Sequence, residues 1–486
     1  MTELRIRSLN GGETTLSRDA LDAFAGGVRG MVITDGSPEY ESSRSIWNAM
    51  IDKRPALIVR ATGPADVLRT VNFVREQQLL LAVRGGGHNI AGKALCDGGV
   101  VLDLSALRDV RVDPRARTAR VGPGALLGDV DHETQAFGLA TPLGINSTTG
   151  VSGLTLGGGF GWLTRKYGMT IDNLLSADLV TSDGSLHTVS DSSEPDLFWA
   201  IRGGGGNFGV VTSFEYRLHP VGPHVLAGLI FYPLAQAPQI LRRYRDFVAE
   251  MPEELTVWAV LRKAPPLPFL PESAHGTDVL ILALLYAGDP ASGRRAVEPL
   301  QAFGTSIAEH VDVMPYTAFQ AGFDPLLTPG ARNYWKSQDF TALSDAVIDT
   351  VIEQAGRLPS EECELFIASL GGAMGRVPET ATAYAGRDAN FVMNVHTRWR
   401  ETAQDSKCRA WARECSEAVS PYATGGVYVN FLSQDETGRV HSAYGANYER
   451  LAAIKARYDP ANLFRNNQNI APAVSGQGRE PEKTEG

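Results

Sequence analysis

Residues 83–89 read Val-Arg-Gly-Gly-Gly-His-Asn, and this stretch sets the first constraint on the fold. The apolar run Leu79–Val83 predicts a short buried strand that leads into the glycines. Three glycines in a row let the backbone turn tightly, and their converging N–H groups form a nest for an anion such as a diphosphate. A simple tight turn that holds a hydrogen-bonded His88 explains the same residues, so this stretch alone leaves both interpretations open.

Two more glycine clusters follow along the chain. Residues 144–153 read Gly-Ile-Asn-Ser-Thr-Thr-Gly-Val-Ser-Gly, and residues 157–161 read Gly-Gly-Gly-Phe-Gly. The first of these is small and polar, as expected where a flat ligand lies against the main chain. Scattered glycines are typical of a loop-rich β protein, whereas dense clusters within one region favour a cofactor cradle.

The residues around these clusters predict a cofactor-binding domain. Residues 56–105 read as strand, helix, strand, loop and strand, and the helix begins at Pro64. The apolar run Val210–Leu218 closes this region as a further strand. We therefore place the domain at residues 50–222 and assign residues 1–49 to it as an N-terminal segment.

Beyond this region the pattern changes to amphipathic helices and long strands, which predicts a substrate domain at residues 223–425. Val279–Tyr286 and Phe391–Trp399 are its clearest strands. Short sequence motifs become frequent again in residues 426–472, so we expect this segment to return to the first domain. Residues 473–486 are rich in Gly, Glu, Pro and Lys and are predicted to be a disordered tail.

Composition excludes several classes of function. The chain has 486 residues, of which 43% are apolar and 21% charged, which predicts a globular protein of two or three domains. A formal net charge of −10 argues against a nucleic-acid partner. The four cysteines form no CxxC pair, so neither a disulfide framework nor a metal site is expected. No apolar run has the length of a signal peptide or a membrane span, so a cytoplasmic protein without membrane contact is expected.

Gly204–Gly209 formally matches the GxGxxG pattern of dinucleotide-binding proteins. That pattern binds a dinucleotide only when a strand precedes it and a helix follows it. Here a predicted helix, Pro195–Ile201, comes first, and the β-branched run Val210–Thr212 comes after. The order is inverted, which argues against an NAD-dependent dehydrogenase.

Eight motifs stand in order along the chain: Arg84–His88, Gly157–Gly161, Arg165–Gly168, Asp172–Asn173, Gly206–Val211, Tyr428–Phe431, Tyr458–Pro460 and Asn467–Ile470. Together they resemble the berberine-bridge-enzyme-like FAD oxidases, within the vanillyl-alcohol-oxidase or p-cresol-methylhydroxylase (PCMH) type of flavoprotein. The resemblance covers residues 50–472 and is weakest in the middle domain. It implies an α+β fold, with a two-lobed PCMH-type FAD-binding domain and a substrate domain whose antiparallel sheet, covered by helices, roofs the isoalloxazine ring.

The resemblance also implies that His88 carries FAD on the 8α-methyl carbon of the flavin. Such a bond prevents loss of the cofactor and raises its potential. Many relatives add a second bond from a cysteine, but Asn146 stands at that position, so a single attachment through His88 is predicted. Cys96 lies in the wrong segment and is expected to be a small buried residue. Thr149 lies near where relatives control oxygen access, which leaves the electron acceptor open.

The residues predicted to bind FAD lie in the glycine loops and in the C-terminal segment. They are Arg84, Gly85, Gly86, Gly87, His88, Asn89, Gly92, Gly144, Thr148, Thr149, Gly150, Ser152, Gly153, Gly161, Gly209, Val210, Tyr428, Asn430 and Asn467.

Tyr428 matches the position of a catalytic tyrosine in the family. Hydride leaves a carbon most easily when a neighbouring hydroxyl or amine loses its proton, so a base is needed beside the flavin. A tyrosine with a pKa of about 10 needs a nearby cation or a strong hydrogen bond, and Lys336 and Arg398 are the candidates to supply it. Strand alternation predicts that Asn430 shares the face of Tyr428 and holds the polar edge of the flavin. A strand tyrosine packed in a core is the alternative.

Two stretches are predicted to line the substrate cavity. Phe391–Trp399 alternates between an apolar face, expected to pack under helices, and a polar face that carries Asn394, His396 and Arg398. The polar face either lines the cavity, with Asn394 and His396 on its wall, or is exposed to solvent. The second predicted wall consists of three consecutive residues, Tyr334, Trp335 and Lys336.

The sequence thus predicts an FAD-linked oxidase. Hydride passes from a small organic substrate, of alcohol, sugar, alkaloid or polyketide type, to flavin N5, and oxygen reoxidises the flavin to give hydrogen peroxide. A flavin dehydrogenase with another acceptor and a flavoprotein without turnover are the alternatives. The sequence does not indicate the oligomeric state.

Overall fold

The computed structural model describes residues 3–474, which fold into three large sheets and their helices. Most of the tail predicted to be disordered, residues 473–486, lies outside the described residues. No helix within the described part of the chain combines the length and the apolar character needed to cross a membrane. The α+β class predicted from the sequence is confirmed.

The first lobe is a four-stranded sheet with strand order Met31–Ile33, Leu57–Arg60, Val100–Asp103 and Leu81–Arg84. The last three strands pair in parallel. Helix Pro64–Glu76 covers this sheet and buries Val67, Val71 and Val74 completely, as its apolar spacing predicts. The flanking elements are Leu4–Arg7, Glu13–Leu16, Arg18–Ala25 and Tyr40–Arg44.

The second lobe is a five-stranded antiparallel sheet with strand order Leu186–Ser190, Leu174–Val180, Val210–Arg217, Thr118–Val121 and Val110–Asp113. A two-stranded pair, Leu139–Ala140 with His219–Pro220, lies beside it. The helices of this lobe are Leu127–Gln135, Val151–Leu156, Thr164–Tyr167 and Pro195–Ile201. Pro195–Ile201 is a helix and Val210–Arg217 is a strand, so the inverted order predicted around Gly204–Gly209 is confirmed.

The third sheet has seven antiparallel strands, in the order Ala308–Pro315, His224–Pro233, Asp278–Tyr286, Leu255–Lys263, Glu364–Ser369, Phe391–Trp399 and Arg332–Phe340. One face packs under four helices, Ala237–Glu250, Pro290–Gln301, Asp345–Ala355 and Asp405–Val419. The other face packs with the short helix Tyr316–Gln320 and with residues of the second lobe, among them Phe160 and Trp162. A cavity between this face and the glycine loops is therefore roofed by strands.

The C-terminal segment packs on the second lobe. Its helices, Val440–Tyr444 and Tyr448–Tyr458, contribute Tyr444, Leu451 and Ile454 to the hydrophobic core of that lobe. The chain therefore returns from the seven-stranded sheet to the cofactor side of the molecule.

Candidate active site

The loop that contains Gly86 and the loop that contains Gly150 are in direct contact through their main chains. Gly86 follows strand Leu81–Arg84, and Gly150 precedes helix Val151–Leu156. A Cβ atom on Gly86 would lie 2.4 Å from the Cα of Gly150, and one on Gly150 would lie 2.3 Å from the Gly86 nitrogen. Only glycine permits this approach at either position, and it places the His88 loop beside residues 144–153.

A large cavity lies between these loops and the seven-stranded sheet, and most of the predicted FAD-binding residues line it. They are Gly85, Gly86, Gly87, His88, Asn89, Gly144, Thr149, Gly150, Ser152, Gly153, Gly209, Val210, Tyr428, Asn430 and Asn467.

Four predicted FAD-binding residues do not line the cavity, and each supports a loop instead. Arg84 donates to the Ser43 carbonyl, and Gly161 packs its Cα against the Leu143 carbonyl. The Gly92 carbonyl accepts a hydrogen bond from Lys53. The Thr148 hydroxyl lies 3.1 Å from Nε2 of His88. The contact of these four residues with FAD stays a prediction.

His88 is partly buried, and its burial lowers its pKa to about 3. The imidazole is therefore neutral at ordinary pH. Its Nε2 lies 3.1 Å from the Thr148 hydroxyl and its Nδ1 lies 3.5 Å from the Thr149 hydroxyl. The Trp47 ring stacks on it, with ring centroids 5.0 Å apart and an interplanar angle of 21°.

Trp47 is a cavity residue that the sequence analysis missed. Its indole N–H donates to the Leu327 carbonyl, and its main-chain N–H donates to the Gly87 carbonyl. The neighbouring Asn48 amide donates to the carbonyls of Ile90 and Asn333. This segment therefore ties the His88 loop to the seven-stranded sheet, and no motif or periodicity in the sequence marks it.

Tyr428 lies on the cavity wall, but not in a strand. It stands directly before a single 3-10 turn, Val429–Phe431, so the prediction of a strand here is wrong. Asn430 nevertheless reaches it, because its amide donates to the Tyr428 hydroxyl at 3.0 Å. The Gly159 N–H donates to the same oxygen at 3.0 Å. Burial raises the pKa of Tyr428 to about 12, and these two donors oppose that rise.

The cations predicted to assist Tyr428 are engaged elsewhere. Lys336 pairs with Glu436 at 3.1 Å and with Asp435 at 3.3 Å, and Arg398 pairs with Glu362 at 2.7 Å. The prediction that either cation lowers the pKa of Tyr428 is wrong. The Gly159 N–H and the Asn430 amide, which donate to the Tyr428 hydroxyl, lower its pKa in place of a cation.

The three residues of the second predicted wall lie on opposite faces of one strand. Trp335 lines the cavity, whereas Tyr334 packs in the core under the helices and donates its hydroxyl to Asp435. Lys336 lies on the Tyr334 side and pairs with Asp435 as well. Tyr334 and Lys336 are therefore not cavity residues, because side chains in a strand alternate between its faces.

The polar face of Phe391–Trp399 is buried and contributes Asn394 and His396 to the cavity roof. Both polar atoms of the Asn394 amide lack a partner among the described residues, as do Nε2 of His396 and the Trp335 indole N–H. Buried polar atoms of native proteins are normally hydrogen-bonded. These four atoms therefore mark a site for a polar ligand.

Glu364 orients His396, and sequence reasoning missed it. Its carboxylate lies 2.9 Å from Nδ1 of His396 and accepts a hydrogen bond of 2.6 Å from Arg262. Burial acts to raise its pKa, but Arg262 and then His396 outweigh this and hold the pKa of Glu364 at about 2. The carboxylate is ionised and accepts a hydrogen bond from Nδ1–H of His396, which leaves Nε2 of His396 directed to the cavity.

Two family models match the chain, an FAD binding domain over residues 55–190 and a berberine and berberine-like domain over residues 427–471. An FAD-linked oxidoreductase of Dictyostelium discoideum is 32% identical over 457 residues, which cover 93% of this chain and 97% of that relative. The chain belongs to the berberine-bridge-enzyme-like FAD-linked oxidoreductases. It is an enzyme of the oxidoreductase class.

Other members of the berberine-bridge-enzyme-like family have known names or structures. The (R)-6-hydroxynicotine oxidase of Paenarthrobacter nicotinovorans is 31% identical and is covered over 98% of its length, with 92% of this chain matched. The crystal structure of 6-hydroxy-D-nicotine oxidase from Arthrobacter nicotinovorans superimposes with a TM-score of 0.83 at 30% identity, over 92% of this chain and 98% of that one. A xylooligosaccharide oxidase from Myceliophthora thermophila in complex with xylobiose gives 0.82 at 26% identity, over 94% and 100%.

FAD fits the cavity of this berberine-bridge-enzyme-like protein. The close approach of Gly86 and Gly150 brings two glycine loops together, so that residues of both loops form one wall of the cavity. Unpaired polar atoms of Asn394 and His396 face them from the roof. The wall between is largely apolar, with Phe160, Trp335 and other ring side chains.

Proposed function

We propose that this chain is an oxidase that holds FAD through one covalent bond, from His88, and oxidises a small hydroxylated ring compound. One observation carries the proposal. His88, the predicted attachment residue, and Tyr428, the predicted base, line the same cavity under the polar roof formed by Asn394 and His396.

When bound, FAD supplies the hydride acceptor, its N5 atom. The phenolic oxygen of Tyr428 takes the proton of the substrate hydroxyl or amine while the adjacent carbon gives up hydride. It acts as the phenolate, which the Gly159 N–H and the Asn430 amide stabilise by donating hydrogen bonds to that oxygen. His396 and Asn394 orient the substrate from the roof.

The cavity favours substrates that combine a flat or ring-shaped body with hydroxyl groups. Trp335, Phe366 and Phe431 provide apolar surface, and the unpaired atoms of Asn394 and His396 provide polar contacts. A relative named for 6-hydroxynicotine and a solved relative that holds xylobiose are consistent with this combination. An anaerobic screen of hydroxylated alkaloids, oligosaccharides and polyketide phenols tests it, with loss of the flavin absorption as the readout.

The electron acceptor is tested separately. In air, oxidation of the substrate is expected to yield hydrogen peroxide in proportion to product, as measured by a coupled peroxidase assay. A dehydrogenase is the second candidate, because the hydroxyl of Thr149 gives the cavity wall beside His88 a polar group. Turnover with an artificial dye and without peroxide would establish the dehydrogenase in place of the oxidase.

Replacing His88 by Ala is expected to abolish covalent attachment. The wild-type protein keeps yellow, fluorescent flavin after acid precipitation, whereas His88→Ala releases all of it to the supernatant. His132→Ala is the matched control, because His132 is exposed on the outside of a helix and lies outside the cavity. Complete release of flavin from the wild-type protein would contradict the covalent bond.

A further inference from the structure

Lys93 brings a positive charge to the cavity wall from the loop that follows His88. Its main-chain N–H donates to the side chain of Asn89 at 3.0 Å, and its carbonyl accepts a hydrogen bond of 2.7 Å from the Asn466 amide. These contacts hold the main chain of the loop on both sides of the lysine. The Lys93 side chain is therefore presented to the cavity from a fixed position.

The ammonium group of Lys93 has no counter-charge within the described part of the chain. Burial lowers its pKa, and no described carboxylate pairs with it to oppose that change. The charge nearby is a second lysine, Lys53, whose pKa is lowered by burial and then by Lys93. Glu364, a carboxylate of the cavity roof, is already paired with Arg262. The loop side of the cavity therefore carries an excess of positive charge, which favours an anionic group of a ligand there.

A row of main-chain N–H groups adds to this preference. Among the described residues, no acceptor takes a hydrogen bond from the main-chain N–H groups of Gly85 to Asn89, all of which line the cavity. Successive N–H groups of a glycine turn form an anion-binding concavity, and they normally find a partner in native proteins. The N–H groups and Lys93 belong to one loop, so both favour an anion on the same side of the cavity.

The formal negative charge of FAD lies on its diphosphate, whereas the oxidised isoalloxazine ring and the adenosine are neutral. We propose that Lys93 is a cofactor-binding residue that pairs with the diphosphate of FAD. An ammonium group donates charge-assisted hydrogen bonds to phosphate oxygens, and these are about twice as strong as hydrogen bonds between neutral groups. The inference requires FAD in the cavity, but neither the covalent bond nor oxygen as the acceptor.

The test measures ligand affinity in the full-length His88→Ala protein, in which His88 can form no bond to the flavin. Lys93→Met, Lys93→Arg and Lys263→Met are each added to it. Lys263 is the matched control, because it pairs with Asp278 and lies outside the cavity. Quenching of flavin fluorescence gives the dissociation constants of FAD and riboflavin, and calorimetry gives that of ADP.

Lys93→Met is expected to bind FAD and ADP about 10–100-fold more weakly, the range for loss of a hydrogen bond to a charged group. Its affinity for riboflavin, which has the isoalloxazine ring but no phosphate, is expected to stay unchanged. Lys93→Arg keeps the charge and is expected to restore most of the affinity for FAD. Added salt is expected to weaken FAD binding less in Lys93→Met than in its parent.

Equal losses of FAD and riboflavin affinity in Lys93→Met would overturn the inference, because they would assign the lysine to the flavin ring or to the packing of the loop. An FAD affinity equal to that of the Lys263→Met control would overturn it as well. ADP titrated into the wild-type and Lys93→Met chains, prepared without flavin, repeats the comparison with His88 in place. Release of the wild-type flavin by acid is a separate outcome, which would refute the covalent bond and leave the role of Lys93 intact.

Discussion

The Tyr428→Phe protein is expected to reduce its flavin with substrate about 10²–10⁴-fold more slowly than the wild-type protein, the usual contribution of a positioned proton acceptor. The phenyl ring preserves the packing against Phe160 and Phe431, whose centroids both lie 4.9 Å from that of Tyr428. The substitution removes only the oxygen that accepts from Gly159 and Asn430. Anaerobic stopped-flow measurement of flavin bleaching gives the rate directly.

The pH dependence supplies a second readout of the same prediction. The pKa of Tyr428 is raised to about 12, so the phenolate fraction grows about tenfold with each pH unit below that value. The rate of flavin reduction is expected to rise with pH in the wild-type protein and to lose that rise in Tyr428→Phe. Tyr422→Phe, at an exposed position, is the control. An unchanged rate in Tyr428→Phe would favour a flavoprotein in which Tyr428 only packs.

Replacing Lys455 by Met is expected to lower the free energy of unfolding by about 3–5 kcal/mol, the range for breaking a buried ion pair. Nζ of Lys455 lies 2.7 Å from the Asp459 carboxylate, and neither side chain is exposed. Asp459 also accepts the main-chain N–H groups of Leu463 and Phe464. Without Lys455, this carboxylate would remain buried without its counter-charge.

The same lysine supports the cavity, because its Nζ donates to the carbonyl of Asn207 at 2.6 Å and Asn207 lies on the cavity wall. Lys455→Met is therefore expected to loosen the cavity around the flavin as well as to lower stability, as measured by flavin fluorescence in urea titrations. Arg450→Met is the matched control, since its ion pair with Asp196 is about half exposed and is worth about 0–1 kcal/mol. Equal effects of the two substitutions would contradict the argument from burial.

Local pattern was sufficient to predict much of the fold. Helix Pro64–Glu76 and strand Phe391–Trp399 follow from the spacing of their apolar side chains. Each element places its apolar side chains on one face, so their spacing in the sequence shows which face packs in the core. The same alternation would have shown that Tyr334 and Lys336 lie on the face opposite Trp335 and cannot share a wall with it.

The candidate site was predicted only in part, because its parts come from distant segments. Trp47 and Glu364 carry no local signal, and each acquires its role from a partner far along the chain, His88 and His396. Tyr428 was identified by resemblance to a family motif. Its hydrogen bond from Gly159 depends on a contact across 269 positions of sequence, which no spacing rule predicts.

The contact between Gly86 and Gly150 restricts how this site can change over evolutionary time. A larger residue at either position would clash with the backbone of the other. No substitution elsewhere can remove those backbone atoms. A side chain at either position would therefore force the two loops apart. Variation in what the enzyme accepts must then come from the opposite wall, where side chains of the seven-stranded sheet can be exchanged one at a time.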